Sequence, residues 1–175
     1  MKNLFAFSFI IALLLSCNNT SQPVVANTVD SVALAKEAML QKNKTAALGF
    51  IQAINAKNMN DVVRDFAAEY IDYHDGSIPP TKGLDSLKSD LAHFVTAFPD
   101  VKAENLVAVA EGNQVAVFGE WSGTFKANMG KMKATGKSFK LKDADLFTFN
   151  DAGKIIEHRS VQPGEALMSQ VMKKK

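Results

Sequence analysis

The sequence predicts one α+β domain, in which three N-terminal helices are followed by a curved, mostly antiparallel sheet that wraps around them. Two observations indicate this class. Up to residue 98, apolar residues recur at the spacing of a helix face, whereas from Val101 onward β-branched and aromatic residues come in short runs separated by turn residues. No internal repeat is visible, so the helices and the sheet are expected to pack as layers of one unit.

The extreme N-terminus has the pattern of a signal peptide. Lys2 precedes a predominantly apolar run over residues 4–15, which is followed by Ser16 and Cys17. A charged start, an apolar stretch and a small residue before the cleavage site are what the export machinery reads, and the run is too short to span a bilayer. Polar residues 18–22 follow at once, which argues against a buried core helix. We therefore expect residues 1–16 to be removed during export.

Cys17 is the only cysteine, so no disulfide can form within one chain. Residues 14–17 resemble a bacterial lipobox, in which a Leu three places before the Cys and a small residue just before it direct acylation of the Cys. The resemblance implies a lipoprotein that begins at Cys17 and is held in the cell envelope by several acyl chains, facing the periplasm or the exterior. Residues 17–28 would form the lipidated Cys and a polar tether, and residues 29–175 a single domain.

The charge of the chain argues against a nucleic-acid partner. The formal net charge is +2, but it includes Lys2 and the terminal lysines 173–175, and the remainder without them is slightly acidic. The terminal lysines are interpreted as a solubilising end, with attraction to a membrane surface as the alternative. A metal is not expected, because the three histidines lie far apart and the only cysteine is the anchor.

Two amphipathic helices are predicted in the first part of the domain. The first begins near Thr28 or Asp30, and the second begins after Asn60, which is a suitable N-cap. In both segments the apolar residues fall on one face at the helical period: Ala47, Leu48, Ile51 and Ile54 in the first, and Val62, Val63, Phe66 and Tyr70 in the second.

A third helix is predicted over residues 84–98. Its apolar residues keep the three-and-four spacing, and Pro99 ends it. Between the second and third helices, residues 71–82 are interpreted as a short extended piece and a loop that contains Pro79 and Pro80.

Strands are predicted for most of the remaining chain. Residues 111–114 link a strand that ends near Ala110 to one that starts at Val115, and residues 151–154 link strands 141–149 and 155–162. Residues 126–137 are expected to form a long basic loop, which could cover a cavity or simply be exposed. A short helix over residues 165–172 closes the domain.

Four ordered segments resemble the SnoaL-like polyketide cyclases. Together the similar segments lie within residues 45–172, and their order and spacing match as well. They are Phe-Pro-Asp at 98–100, Glu-Gly-Asn-Gln-Val-Ala-Val at 111–117, Trp-Ser-Gly-Thr-Phe at 121–125 and Gly-Lys-Ile-Ile-Glu-His at 153–158. The resemblance implies the cone-shaped fold of the nuclear transport factor 2 superfamily, with a central pocket between sheet and helices, no metal or organic cofactor, and often a homodimer through the sheet.

The resemblance also implies an acid/base pair near the ends of the last two strands, which moves a proton at the carbon next to a carbonyl. This chain departs from the family pattern there, because Arg159 stands where a Trp is usual and Gln162 where an acid is frequent. Gln cannot exchange protons, so Asp145, Glu120 or Glu157 would have to replace the acid. Arg159 suits a weakly anionic ligand, or it neutralises a nearby Asp.

His74 is the candidate proton carrier, since the ordinary pKa of histidine lies near neutral pH. A structural role in a loop, between Asp72 and Asp75, is the alternative. Asp145 or Glu120 would assist it. The residues expected to contact a small apolar or weakly anionic ligand are Asp72, Trp121, His158, Arg159 and Gln162. Trp121 could equally be core, and only one strand parity, that of His158 or that of Arg159, can face the pocket.

Two functions of different class follow from these expectations. The first is an enzyme of the cyclase, isomerase or hydrolase type that performs general acid/base chemistry on a small apolar carbonyl or ester compound. The second is a binding module that uses the same pocket without turnover, which the missing strand-end acid favours. Fold resemblance alone does not choose between them, because one scaffold hosts many functions. Convergence of two titratable groups inside the cavity is the discriminating feature.

Overall fold

The computed structural model describes residues 25–162 and 164–172. The signal peptide predicted at residues 1–16, the lipidation site Cys17 and the terminal lysines 173–175 lie outside the described residues. Within them, no helix combines the length and the apolar character that a membrane span requires.

Helix α1 (Val25–Asn55) begins three residues before Thr28, the earlier of the two starts predicted from the sequence. Its 31 residues make it about 46 Å long at the usual rise per residue. Residues 30–39 are exposed, whereas the second half of the helix packs on the sheet. Ala47, Ile51 and Ile54 are buried there, as the helical period predicted.

The second predicted helix is wrong. Asp61–Val63 form a single 3₁₀ turn, and Phe66–Asp72 form strand β1. Phe66 and Tyr70 both point into the core, because positions four apart share a face in a strand as well as in a helix. The local pattern therefore suited both structures, and the pairing of β1 with a later strand decided between them.

Helix α2 (Leu84–Ala97) confirms the third predicted helix. Its last turn is extended by the Phe98 amide, which donates to the carbonyl of Phe94. The two-residue strand β2 (Thr81–Lys82) lies just before α2 and pairs with β1. A third helix, α3 (Gly164–Met172), follows the last strand, and α2 comes after β1 and β2, so of the three helices α1 alone precedes every described strand of the sheet.

The sheet has six strands in the order β2-β1-β6-β5-β4-β3. The remaining strands are β3 (Lys102–Glu111), β4 (Gln114–Thr124), β5 (Ser138–Phe149) and β6 (Ile155–Ser160). Every neighbouring pair is antiparallel except β1 and β6, which run parallel. The α+β class with a mostly antiparallel sheet is thus confirmed.

Side chains alternate between the two faces of β4 and β5. Val115, Val117 and Phe147 are buried against the helices, whereas Phe118 and Leu146 are half exposed on the other face. This alternation gives the sheet an inner, helix-covered face and an outer, open one. It also determines which polar side chains of these strands reach the interior.

Candidate active site

A cavity of about 210 Å³ lies between the inner face of the sheet and the three helices. Most of its wall is apolar, and the polar groups that line it come from β1, β5, β6 and the segment after β6. The apolar wall consists of Phe50, Ile54, Leu87, Leu91, Phe94, Trp121, Phe139, Leu141 and Leu167. The polar groups belong to Asp72, Asp143, Asp145, His158, Ser160 and Gln162.

Strand pairing brings the polar side chains together. On β5, Asp143 and Asp145 alternate with outward-facing residues and share the inner face with Phe147. Phe147 pairs with His158 of β6, so His158 and Asp145 are diagonal neighbours on one face. On the other side of β6, the parallel register places Asp72 of β1 beside His158.

The imidazole of His158 bridges two carboxylates. Its Nδ1 lies 3.1 Å from Oδ1 of Asp72, and its Nε2 lies 3.1 Å from Oδ1 of Asp145. All three residues are buried, with exposed fractions of 6–8%. Burial lowers the pKa of His158, but the hydrogen bonds and charges of Asp145 and Asp72 raise it more, to about 10. The ring is therefore an imidazolium at neutral pH and donates both N–H groups.

Asp72 is held as a carboxylate by the same contacts. Burial raises its pKa, but the hydrogen bond and charge of His158 and the backbone N–H of His74, 2.8 Å from Oδ1, outweigh burial and lower it. Tyr70 lies next to this group. Its hydroxyl is buried, and no group of the described residues has hydrogen-bond geometry with it; burial and then the nearby Asp72 raise the pKa of the phenol.

Asp143 has a different environment from Asp72. Its Oδ1 accepts the backbone N–H groups of Gln162 and Ala144, both at 2.7 Å, and its Oδ2 accepts the Ser160 hydroxyl at 2.6 Å. Burial nevertheless raises the pKa of Asp143, and the nearby charge of Asp145 raises it further. Two of the three carboxyl groups that line the cavity, those of Asp72 and Asp143, thus have pKa values displaced in opposite directions.

One polar atom of the cluster lacks a hydrogen-bond partner among the described residues. Oδ2 of Asp145 is buried and has no hydrogen-bond partner among the described residues, although Asp145 lines the cavity. A buried acceptor without a donor costs free energy, and because this atom has almost no accessible surface it does not open into the cavity.

Comparison with known proteins identifies the family. The family model of the SnoaL-like polyketide cyclases matches residues 44–171. The chain belongs to the SnoaL-like polyketide cyclase family. None of the curated proteins matches the chain.

Solved structures share this SnoaL-like fold. A candidate SnoaL-like polyketide cyclase from Jannaschia sp. CCS1 has 19% identity and a TM-score of 0.69, with 78% of this chain and 96% of that chain covered. A candidate polyketide cyclase from Xanthomonas campestris pv. campestris has 18% identity and a TM-score of 0.67, with coverage of 75% and 98%. One from Pseudomonas putida KT2440 has 18% identity and a TM-score of 0.64, with coverage of 74% and 97%. At these identities the likeness establishes the fold alone.

Five of the residues selected from the sequence line the cavity of this SnoaL-like protein. The sequence alone leaves open which side chains of β6 face the interior, and the structure turns His158 inward and Arg159 outward. Trp121, for which wall and core were both considered, forms part of the cavity wall and packs against the core. The five are Asp72, Trp121, Asp145, His158 and Gln162.

Three other selected residues lie elsewhere. His74 sits at the edge of the sheet, where its Nε2 is 2.9 Å from the Thr81 hydroxyl, and it does not line the cavity. Glu120 faces outward on β4 and pairs with Lys140 at 2.9 Å. Arg159 is exposed and stacks on the Tyr73 ring at 4.0 Å, so it supplies no cation to the cavity.

The positions of Glu120 and Arg159 correct two expectations. Both residues have the outward parity of their strands, so Glu120 cannot assist proton transfer inside the cavity and Arg159 cannot bind an anion there. The adjacent residues Trp121, His158 and Ser160 have the opposite parity and line the cavity instead. His74 contacts the cluster at Asp72, whose Oδ1 accepts the His74 backbone N–H at 2.8 Å and lies 3.7 Å from its Nδ1.

Asp143, Ser160 and Tyr70 were not selected from the sequence. The signal for Asp143 was present, because it has the same parity as Asp145 on a strand whose alternation is clear. Ser160 follows from His158 by the same rule. The sequence predicts a helix at Tyr70, and a helix does not place this residue beside Asp72. Among the described residues, no group of three or more His, Cys, Asp and Glu side chains has the arrangement of a metal site.

Proposed function

We propose that the protein is a cofactor-independent enzyme that moves a proton at the carbon next to a carbonyl group of a small, largely apolar compound. One observation carries this proposal: three titratable side chains, Asp72, His158 and Asp145, converge at the polar end of an apolar cavity. A polar network that only stabilised the fold would not require such a cavity beside it.

Asp145 is assigned as the proton acceptor. Its carboxylate takes the proton from the substrate carbon, the C–H electron pair moves toward the carbonyl oxygen, and the proton is then returned from the carboxyl group to the rearranged product. His158 stays charged at neutral pH because its pKa is about 10. It therefore acts as a positioning residue that orients Asp145 through the 3.1 Å contact and offsets the negative charge.

Hydrogen–deuterium exchange tests this assignment without knowledge of the natural substrate. A panel of small ketones and esters is incubated with the protein in D₂O, and the loss of the α-proton signals is followed by NMR. Asp145→Asn should reduce the exchange rate at least about 100-fold, the usual contribution of a general base. Glu120→Gln, on the outer face, is the matched control and should leave exchange unchanged. Equal exchange by wild type and Asp145→Asn on every active compound contradicts the assignment.

A binding module is the second candidate function. It is favoured by one feature of the cluster: both ring nitrogens of His158 already face carboxylates, as in a network that fixes β1, β5 and β6 to one another. In that case a small molecule occupies the cavity and no compound of the panel exchanges. Native mass spectrometry of protein purified from its own cells would reveal a retained ligand.

We also propose that the domain is carried in the cell envelope by a lipid on Cys17. The signal-peptide pattern at residues 1–16 and the lipobox-like residues 14–17 support this, since both are read directly from the sequence. The mass of the N-terminal peptide of the mature protein tests it. Cys17→Ser should abolish the acyl mass increment and release the protein from membranes.

A homodimer through the outer face of the sheet is proposed as the assembly. Four large apolar side chains on that face are 38–59% exposed, which supports an interface because such patches are rare on monomers: Val107, Val109, Phe118 and Leu146. Light scattering tests it. Phe118→Asp should yield a monomer, whereas Ile78→Asp, at an exposed loop residue away from the face, should not.

A further inference from the structure

The segment after β6 holds one more polar residue at the cavity. The backbone N–H of Val161 donates to the carbonyl of Ala144 at 3.0 Å, and that of Gln162 donates to Oδ1 of Asp143 at 2.7 Å. These contacts continue the pairing with β5 beyond Ser160, the last residue of β6. Gln162 therefore lines the cavity from a fixed position, although it lies outside the strand.

The side-chain amide of Gln162 is not used to hold the fold. The hydrogen bonds of this residue to Asp143 and Ser160 involve its backbone N–H and its backbone carbonyl. Its side-chain amide has no hydrogen-bond partner among the described residues, and the residue is half-buried. Because a side-chain amide carries two N–H donors, a molecule in the cavity can accept a hydrogen bond from it.

The other donors at the polar end of the cavity are already engaged. Both ring nitrogens of His158 face carboxylates, and the hydroxyl of Ser160 donates to Oδ2 of Asp143. The remaining polar side chains of the lining are carboxyl groups, which accept when ionised: Asp72, Asp143 and Asp145. Among the described polar residues of the lining, Gln162 therefore has the donor that a ligand can still use.

The amide of Gln162 and the proposed base face the same space. Asp145 pairs with Ser160 across β5 and β6, so Gln162, two positions beyond Ser160, is its diagonal neighbour on the inner face. Diagonal neighbours lie about 7–8 Å apart, within reach of a long side chain. The α-carbon and the carbonyl oxygen of a ketone or ester are two bonds apart. One substrate between these side chains can thus present its α-proton to Asp145 and its oxygen to Gln162.

We infer that Gln162 is a catalytic residue, whose side-chain N–H donates to the carbonyl oxygen of the substrate and stabilises the enolate that forms when Asp145 removes the α-proton. The inference rests on the proposed function and adds the group that holds the developing charge. The C–H electron pair becomes the C=C bond, and the π pair of the carbonyl moves to its oxygen. Negative charge passes from the carboxylate to that oxygen, where a fixed donor is most effective. The amide gives up no proton, and Asp145 returns the proton to carbon.

Gln162→Leu removes the donor and tests the inference in the deuterium-exchange assay on the full-length chain. The kcat of exchange should fall at least about 100-fold, the usual cost of losing one such donor, and KM should change less than about threefold, because the contact strengthens as charge develops. Gln114→Leu, at the exposed start of β4, is the matched control and should leave both unchanged. A kcat of Gln162→Leu within about threefold of the wild-type value overturns the inference.

Gln162→Glu supplies a readout that a merely structural role would not move. The new side chain has nearly the same shape, but as a carboxylate it can only accept, and it regains one O–H donor when it is protonated. The ratio of its exchange rate to the wild-type rate at the same pH should rise at least about tenfold as the pH falls from about 7.5 toward the ordinary Glu pKa of about 4.3. The ratio for Gln162→Leu should stay constant. A constant ratio for Gln162→Glu contradicts the inference, and this series decides if Gln162→Leu does not fold.

The two proposals fail in different ways. Exchange that is lost in Asp145→Asn but kept in Gln162→Leu refutes this inference alone. Exchange that is kept in Asp145→Asn but lost in Gln162→Leu refutes the assignment of the base alone. Absence of exchange by the wild-type protein on every compound of the panel refutes the proposed enzyme and the role of Gln162 with it.

Discussion

Nε2 of His158 lies 3.1 Å from Oδ1 of Asp145, although the two residues are 13 positions apart and belong to different strands. The contact exists because β5 and β6 are antiparallel neighbours and both side chains have the inward parity. The other ring nitrogen contacts Asp72, which is 86 positions away along the chain. One buried imidazolium thus joins three strands and determines the chemical character of the cavity.

The stability of the protein should fall as the pH rises from about 6.5 to about 10. Histidine has an ordinary pKa near 6.5 in the unfolded chain, and the folded value of His158 is about 10, so folding favours the protonated ring. That contribution is complete below about pH 6.5 and is lost as the pH approaches 10. Urea unfolding at pH values from about 6 to about 9.5 measures it.

The matched variants for this pH dependence are His158→Gln and His93→Gln, the latter on the exposed side of α2. His158→Gln should lower stability and flatten the dependence in that range, and His93→Gln should leave both unchanged. A pH slope that persists in His158→Gln would assign the effect to another group.

Asp72→Asn should destabilise the domain by roughly 2–4 kcal/mol, because it removes one carboxylate from a buried cation that cannot reach water. Chemical denaturation measures the free energy of unfolding. Asp85→Asn, in the first turn of α2 and exposed, is the control and should change it by less than about 0.5 kcal/mol. A loss below about 1 kcal/mol in Asp72→Asn would contradict the buried ion pair.

Tyr70→Phe should leave the free energy of unfolding within about 1 kcal/mol of the wild-type value, or raise it. The variant keeps the ring, whose centroid lies 4.7 Å from that of Phe66, and removes a buried hydroxyl that has no hydrogen-bond partner within the part of the chain that the structure describes. Thermal and urea unfolding would show this. A loss of about 2 kcal/mol or more would mean that the hydroxyl is hydrogen-bonded in solution, for example to an ordered water.

Asp75→Ala should loosen the start of α3. Oδ2 of Asp75 accepts the backbone N–H of Gly164 at 2.7 Å, the kind of contact that stabilises a helix N-terminus by about 1 kcal/mol. Hydrogen exchange of the α3 amides should become faster, and ligand binding weaker, because Leu167 of this helix lines the cavity. Asp151→Ala, in the exposed turn before β6, is the control and should leave α3 unchanged. Equal protection of α3 in both variants would exclude the role of Asp75.

Much of the candidate site could be inferred from local pattern. The alternation on β5 places Asp145 on the face of Phe147 and Phe149, and the helical period identifies the face of α2 that carries Leu87 and Leu91. Both inferences need only neighbours close in sequence, because the periods of strands and helices are properties of the backbone.

The sequence by itself predicted the helices that correspond to α1, α2 and α3 and the strands that correspond to β3, β4, β5 and β6, and it identified Asp145 as one of three candidate acids. Only the tertiary structure decided that residues 66–72 form a strand, that His158 and not Arg159 faces inward, and that Asp72 meets His158. The reason is the parallel pairing of β1 with β6, which lie far apart in the chain. Spacing within either segment cannot encode that contact, because its register depends on how the whole sheet assembles around the helices.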